Sequence, residues 1–131
     1  MNAMRKQSGF TTIELIIAIL FLCGIGALFL LQKSEVDALN RDTQRKTAIN
    51  AMYYTLEEVY FPAQKSYPLV LDTTTLKAID PSLLKDPEGA VIGEQESNYR
   101  YEPQGCDAGK CRGYTLRTTL EKERDFIKQN R

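Results

Sequence analysis

Hydrophobic and polar positions fall along this chain in three successive patterns. From Leu15 to Leu31 the sequence reads LIIAILFLCGIGALFLL, with no charge and no interruption. Extended back to Phe10, this run makes a helix of about 33 Å. That is enough to cross a hydrocarbon core of roughly 30 Å. A buried helix in a soluble protein is the rival reading, but a chain this short has little material to wrap such a helix on all sides. A secretory signal peptide is another; against it, the run is long for an h-region and ends in the polar Gln32-Lys33-Ser34-Glu35 rather than a small-residue cleavage site.

From Ser34 to Phe61 the period changes. Val36, Leu39, Ile49, Met52, Tyr53, Leu56, Val59 and Tyr60 recur at helical spacing, and from Ile49 the spacing follows i, i+3, i+4, i+7. The Met and Tyr positions read as core. Arg41, Asp42, Arg45, Lys46, Glu57 and Glu58 are expected to fill the opposite, solvated face. No helix breaker lies between Leu31 and Phe61. The pattern therefore predicts one helix from Phe10 to about Phe61, about 78 Å long, stopped by Pro62.

The third pattern is a connector followed by alternation. Ser66-Tyr67-Pro68 reads as an extended turn, Thr73 to Ile79 as a short helix ended by Asp80-Pro81, and Asp86-Pro87-Glu88-Gly89 as a turn. Tyr99 and Tyr101 alternate with Arg100, and Tyr114, Leu116, Thr118 and Leu120 alternate with polar neighbours. Residues 98–102 and 113–121 are thus expected to pair as strands. Ala90-Val91-Ile92 is a candidate third strand. Lys122 to Arg131 is charged, with Phe126 and Ile127 its only apolar anchors, and reads as a short helix or a frayed tail. The expected fold class is α+β: a long N-terminal helix, with a membrane half and an amphipathic half, packed on a small antiparallel sheet. The corresponding segments are 1–9, 10–32, 33–61, 62–97 and 98–131.

A short basic leader (Arg5, Lys6) ends at Gly9, and Phe10-Thr11-Thr12-Ile13-Glu14 leads into the apolar run. A carboxylate this close to hydrocarbon is costly unless it is compensated. Snorkelling of Glu14 to the interface is the plain reading. The positive leader is expected to stay in the cytoplasm, which places Gln32 to Arg131 outside.

Leader, glycine, phenylalanine, carboxylate and apolar helix stand in one register, SGFTTIELIIAILFL. This resembles the N-terminus of type IV prepilins and type II secretion pseudopilins, over about residues 5–31 and more loosely to the end. The resemblance implies a pilin-like fold. It also implies cleavage by a prepilin peptidase between Gly9 and Phe10, N-methylation of Phe10, and assembly into a filament by a separate ATPase and a platform protein. A glycine suits the cut, because it lets the backbone enter a protease site in extended form. After cleavage, Glu14 of one subunit can neutralise the charged Phe10 amine of another. Both charges are expensive in lipid, so the pair acts as a register device. One departure is the absence of a proline in the apolar run; Gly24 and Gly26 are its only weak points. They are either a soft spot or, with Ala27, a close-packing face.

Composition narrows the function. Lysine and arginine total 17, as do aspartate and glutamate, and losing the leader with its two basic residues leaves a net of −2. Nothing in this balance calls for nucleic acid. The chain has no histidine, which removes most metal and Ser/Cys–His schemes, and it has no phosphate-binding glycine loop. No enzymatic activity and no cofactor are expected.

Cys106 and Cys111 close a short loop between the two expected strands, and outside the membrane they read as a disulfide worth about 2 kcal/mol. A redox or metal pair is the rival. Cys23 reads as packing. Asp86 and Glu88 form an incomplete calcium set, against which a plain turn is the simpler reading. Lys110, Arg112, Arg117 and Arg100 are the residues that DNA contact would use, as in a competence pilin; a solvated face is the simpler account. A structural filament subunit, major or minor, is thus the leading reading. A secretion pseudopilin or competence pilin is the alternative within that class, and an unprocessed single-pass anchor is the alternative outside it.

Overall fold

The structure, a computed structural model, describes residues 9–131, so the leader other than Gly9 lies outside the described residues. The chain separates into an N-terminal unit ending at Asp37 and a second unit, Ala38–Arg131. Helix α1 runs Thr12–Tyr54, as the uninterrupted pattern predicts. It begins at a local cap, where the Glu14 N–H donates to Thr11 Oγ1 at 3.4 Å.

Pro62 does not stop the helix where expected. The coil widens into a π turn, Thr55–Tyr60, and continues through α2, Phe61–Gln64, ending at Lys65 in the left-handed region. The Phe61 N–H donates to Leu56 O, five residues back. Proline lacks an N–H and its ring crowds the carbonyl four residues earlier. The wider turn makes room for it before the helix ends.

In the second unit the helix packs on two small antiparallel sheets. Strands β1 (Tyr67–Pro68) and β3 (Lys110–Cys111) form one pair, with Tyr67 opposite Cys111. Strands β2 (Tyr99–Gln104), β4 (Gly113–Thr118) and β5 (Phe126–Gln129) form the other sheet in the order β2-β4-β5. Tyr99 faces Thr118, Tyr101 faces Leu116 and Pro103 faces Tyr114 across β2 and β4. This period-two set brings Tyr99, Tyr114, Leu116 and Thr118 into the core, against Ala48, Ile49, Met52 and Leu56 of the helix. Pro103 is tolerated because β2 is an edge strand.

Three expected elements differ. The third strand is β5, from the tail expected to be helical or frayed; Ala90-Val91-Ile92 supplies only a single bridge, Val91 to Lys85. Residues 73–79 form turns rather than a helix. There the Asp72 carboxylate accepts from the N–H groups of Thr74 and Thr75 and from both hydroxyls. Side chains that bond their own backbone in this way compete with helix formation. The one helical turn in the region is a 3₁₀ turn, Pro81–Leu84, capped by Asp80 accepting from the Ser82 N–H. Finally, Val36, Leu39 and Val59, counted among the apolar positions at helical spacing, are exposed.

Ala108 and Gly109 both have positive φ, 48° and 78°, at the tip of the loop before β3. Two left-handed residues in succession are the signature of a tight type I′ turn. Alanine is strained there. Ala108→Gly should therefore stabilise the second unit by about 0.5–1 kcal/mol, measured as a rise in the thermal midpoint of the full chain.

Candidate functional site

Gly9 and Phe10 immediately precede α1 and Glu14 lies in its first turn, and all three are exposed. Glu14 sits in the first helical turn, where a carboxylate complements the helix dipole. The Thr11-to-Glu14 spacing is also that of a capping pair, a local signal that attention to the carboxylate alone misses. Every side chain from Gly9 to Asp37 is exposed, among them Phe10 at 80% and Phe21 at 69%. This is one helix long and apolar enough to cross a membrane by length and composition. Gly24 and Gly26 lie within unbroken helix, with open space where a Cβ would be. Cys23 is a free, exposed thiol.

In the second unit the structure joins Cys106 and Cys111 in a disulfide. Cys111 is buried and carries the register with β1, so the bridge ties the loop tip to the segment that follows the helix. Of the four cations considered for DNA contact, two are engaged. Arg117 pairs with Glu102 at 3.0 Å, and Arg100 donates to the carbonyls of Gln95 and Ser97. Lys110, in β3, and Arg112, just after it, are exposed.

The largest departure concerns the charges on the helix. Asp42, Arg45 and Glu57, expected to face solvent, are buried. The Arg45 guanidinium donates to Asp86 at 2.8 Å, to Glu121 at 2.9 Å and to Glu88 at 2.9 Å. Asp42 accepts from the backbone N–H groups of Glu121 and Lys122. Arg41 holds Glu121 in a two-point pair at 2.7 Å, and Lys46 reaches Glu123 at 2.6 Å. The Asp86–Gly89 turn is present, closed by the Gly89 N–H on Asp86 O at 2.8 Å. Its carboxylates are bound to Arg45. Among the described residues no group of three or more His, Cys, Asp or Glu could hold a metal ion.

The electrostatics follow from these contacts. Hydrogen bonds to Arg41, then Arg45, pull Glu121 down to about 2. Burial pushes Asp86 up, but bonds from Arg45 and the Glu88 N–H outweigh it and hold Asp86 below the ordinary carboxylate value. Bonds to Asp86 raise Arg45 despite its burial. Farther along, the buried Glu57 carboxylate accepts from the hydroxyls of Tyr67 and Tyr114, at 3.1 and 2.9 Å. Burial, then Glu57, pushes the Tyr67 phenol up to about 12. Among the described residues, no buried side-chain nitrogen or oxygen lacks a hydrogen-bond partner.

The arrangement thus separates two roles. An exposed apolar helix follows the Gly9–Glu14 motif, and a second unit buries Asp42, Arg45, Glu57 and Asp86 among hydrogen-bond partners. Compared with protein families, curated proteins and solved structures, the chain matches none of them.

Proposed function

We propose that this chain is a structural subunit of a type IV pilus-like filament, anchored first in the membrane and then assembled. The carrying observation is the charge-free helix from Leu15 to Leu31, exposed along its whole length and led by Gly9-Phe10 with Glu14 in its first turn. Such a surface is stable only when lipid or other helices cover it. The carboxylate at its entrance makes sense where a positive partner arrives in a fixed position. In this reading a prepilin peptidase cuts between Gly9 and Phe10, and Phe10 is methylated. The second unit, Ala38–Arg131, remains outside the membrane. Copies then join by a head-to-tail contact whose rotation does not close, which generates a helical filament. An assembly ATPase and a platform protein supply the lifting step. The subunit itself performs no catalysis.

The test is mass spectrometry of the tryptic peptide that ends at Lys33. A peptide starting at N-methylated Phe10 is expected, with Gly9→Val leaving uncut precursor in the membrane. A peptide starting at Gln7 with the Gly9–Phe10 bond intact would establish a plain single-pass anchor instead.

A further inference from the structure

The lysines and arginines of the second unit are for the most part engaged. Arg41, Arg45, Lys46, Arg117 and Arg131 pair with carboxylates, Arg100 donates to backbone carbonyls, and Lys128 lies over the rings of Tyr53 and Phe126. Lys65, Lys110 and Arg112 differ. Among the described residues none of these three side chains has a hydrogen bond or an ion pair, yet all three line one concave site of about 550 Å³. That volume lies within the roughly 300–1,000 Å³ of small-molecule sites. Like charges gathered without a partner repel one another, and an anion among them relieves the repulsion.

Each cation stands on a held backbone. Lys65 closes the helix in the left-handed region, its N–H bonded to Phe61 O at 2.7 Å. The Cys106–Cys111 disulfide and the paired backbone groups of Asp107 and Lys110 hold the loop. The stem of Arg112 lies along Gly105, with carbons 3.4–3.6 Å from where a side chain there would begin. Two further features narrow the ligand. The Asp107 carboxylate lines the same site, also without a partner among the described residues. It opposes a bare anion but accepts from hydroxyl groups. Phe61, half-buried and stacked on Tyr67 at 4.9 Å, adds an apolar surface.

We propose that this site binds an acidic sugar, a ring that carries a carboxylate beside free hydroxyls. The acid group meets Lys65, Lys110 and Arg112, the hydroxyls donate to Asp107 and to the Ser66 oxygen, and the ring's C–H surface rests on Phe61. A phosphodiester chain such as DNA satisfies the cations alone and brings like charge to Asp107. The site lies wholly within the Ala38–Arg131 unit, so it stands whether or not the chain assembles.

The test is calorimetry on the full chain in a sugar-free detergent, with trigalacturonate as the probe. A Kd of about 1 mM or tighter is expected, weakened by added salt. Lys110→Ala with Arg112→Ala should weaken binding by about tenfold or more. Lys65→Ala, on the other element, should weaken it as well, which decides the matter if the loop variant fails to fold. Lys77→Ala removes an exposed lysine outside the site and should change nothing. Asp107→Ala should weaken trigalacturonate but strengthen inorganic phosphate, a split that a merely structural change would not give. Galacturonate binding as well as its trimer supports a site for the free sugar, and a tighter trimer supports a site for a polysaccharide. A thymidine trinucleotide that binds as tightly as trigalacturonate would overturn the sugar in favour of nucleic acid. No heat of binding at about 10 mM probe would overturn the site itself.

Discussion

Arg45→Met should destabilise the Ala38–Arg131 unit by about 3–5 kcal/mol, because removing one partner strands the others. Arg45 is 1% exposed and binds Asp86, Glu88 and Glu121 while lying beside Asp42. Methionine matches much of its volume, so the loss would be electrostatic rather than a cavity. In a domain of this size the thermal midpoint should fall by roughly 15–30 °C. Arg45→Lys keeps the charge but loses the planar fork that reaches several carboxylates at once, and should fall between parent and Arg45→Met. The pH dependence gives a second readout. Glu121 is held at about 2 against an ordinary 4.5, and Asp86 is also lowered. Folded values below unfolded ones give stability that is full above about 4.5 and is lost as pH falls toward about 2. The gap between parent and Arg45→Met should narrow over that range in acid titrations followed by circular dichroism. A parallel pair of curves would show that Arg45 acts through packing alone.

Glu14→Ala should leave the Gly9–Phe10 cut intact and impair assembly. A charged hydrogen bond of about 1.5–3 kcal/mol, lost at each subunit added, lowers polymer yield by roughly 10- to 150-fold. Glu14 lies in the exposed first turn of α1 and is not one of the core residues of the Ala38–Arg131 unit. The substitution should therefore leave thermal unfolding of that unit unchanged. Normal filaments containing the alanine variant would remove the register role and leave Glu14 as a helix-capping or interfacial residue. Measuring cut, fold and polymer on the same preparation separates these accounts.

What could be read from the chain depended on the distance between the interacting residues. The membrane-length helix is written in adjacent residues, Leu15 to Leu31. The β2–β4 pair is written in the alternation of Tyr99 and Tyr101 with Tyr114 and Leu116. The disulfide followed from two cysteines five residues apart. The helix charges escape a reading of local periodicity because their partners lie far away in sequence. Arg45 meets Asp86, and Asp42 meets the N–H of Glu121. Periodicity ranks a charge as solvent-facing and cannot foresee a closed network of opposite charges. Strand β5 was hidden for a related reason: Phe126 and Ile127 stand among charged neighbours that mask a four-residue strand. The 73–79 helix was lost to a side-chain effect, the Asp72 bonds to its own following turn.

The long reach of these contacts sets an order in time. A chain made from its N-terminus presents Asp42 and Arg45 well before Glu121 and Lys122 exist to meet them. Helices form within microseconds, whereas contacts of high sequence separation close slowly. In that interval the helix would hold hydrated, unpaired charges, and only the arrival of the 121–123 segment would draw them inward. The closed charge network therefore belongs to the finished molecule alone, since its last members come from residues 121–123.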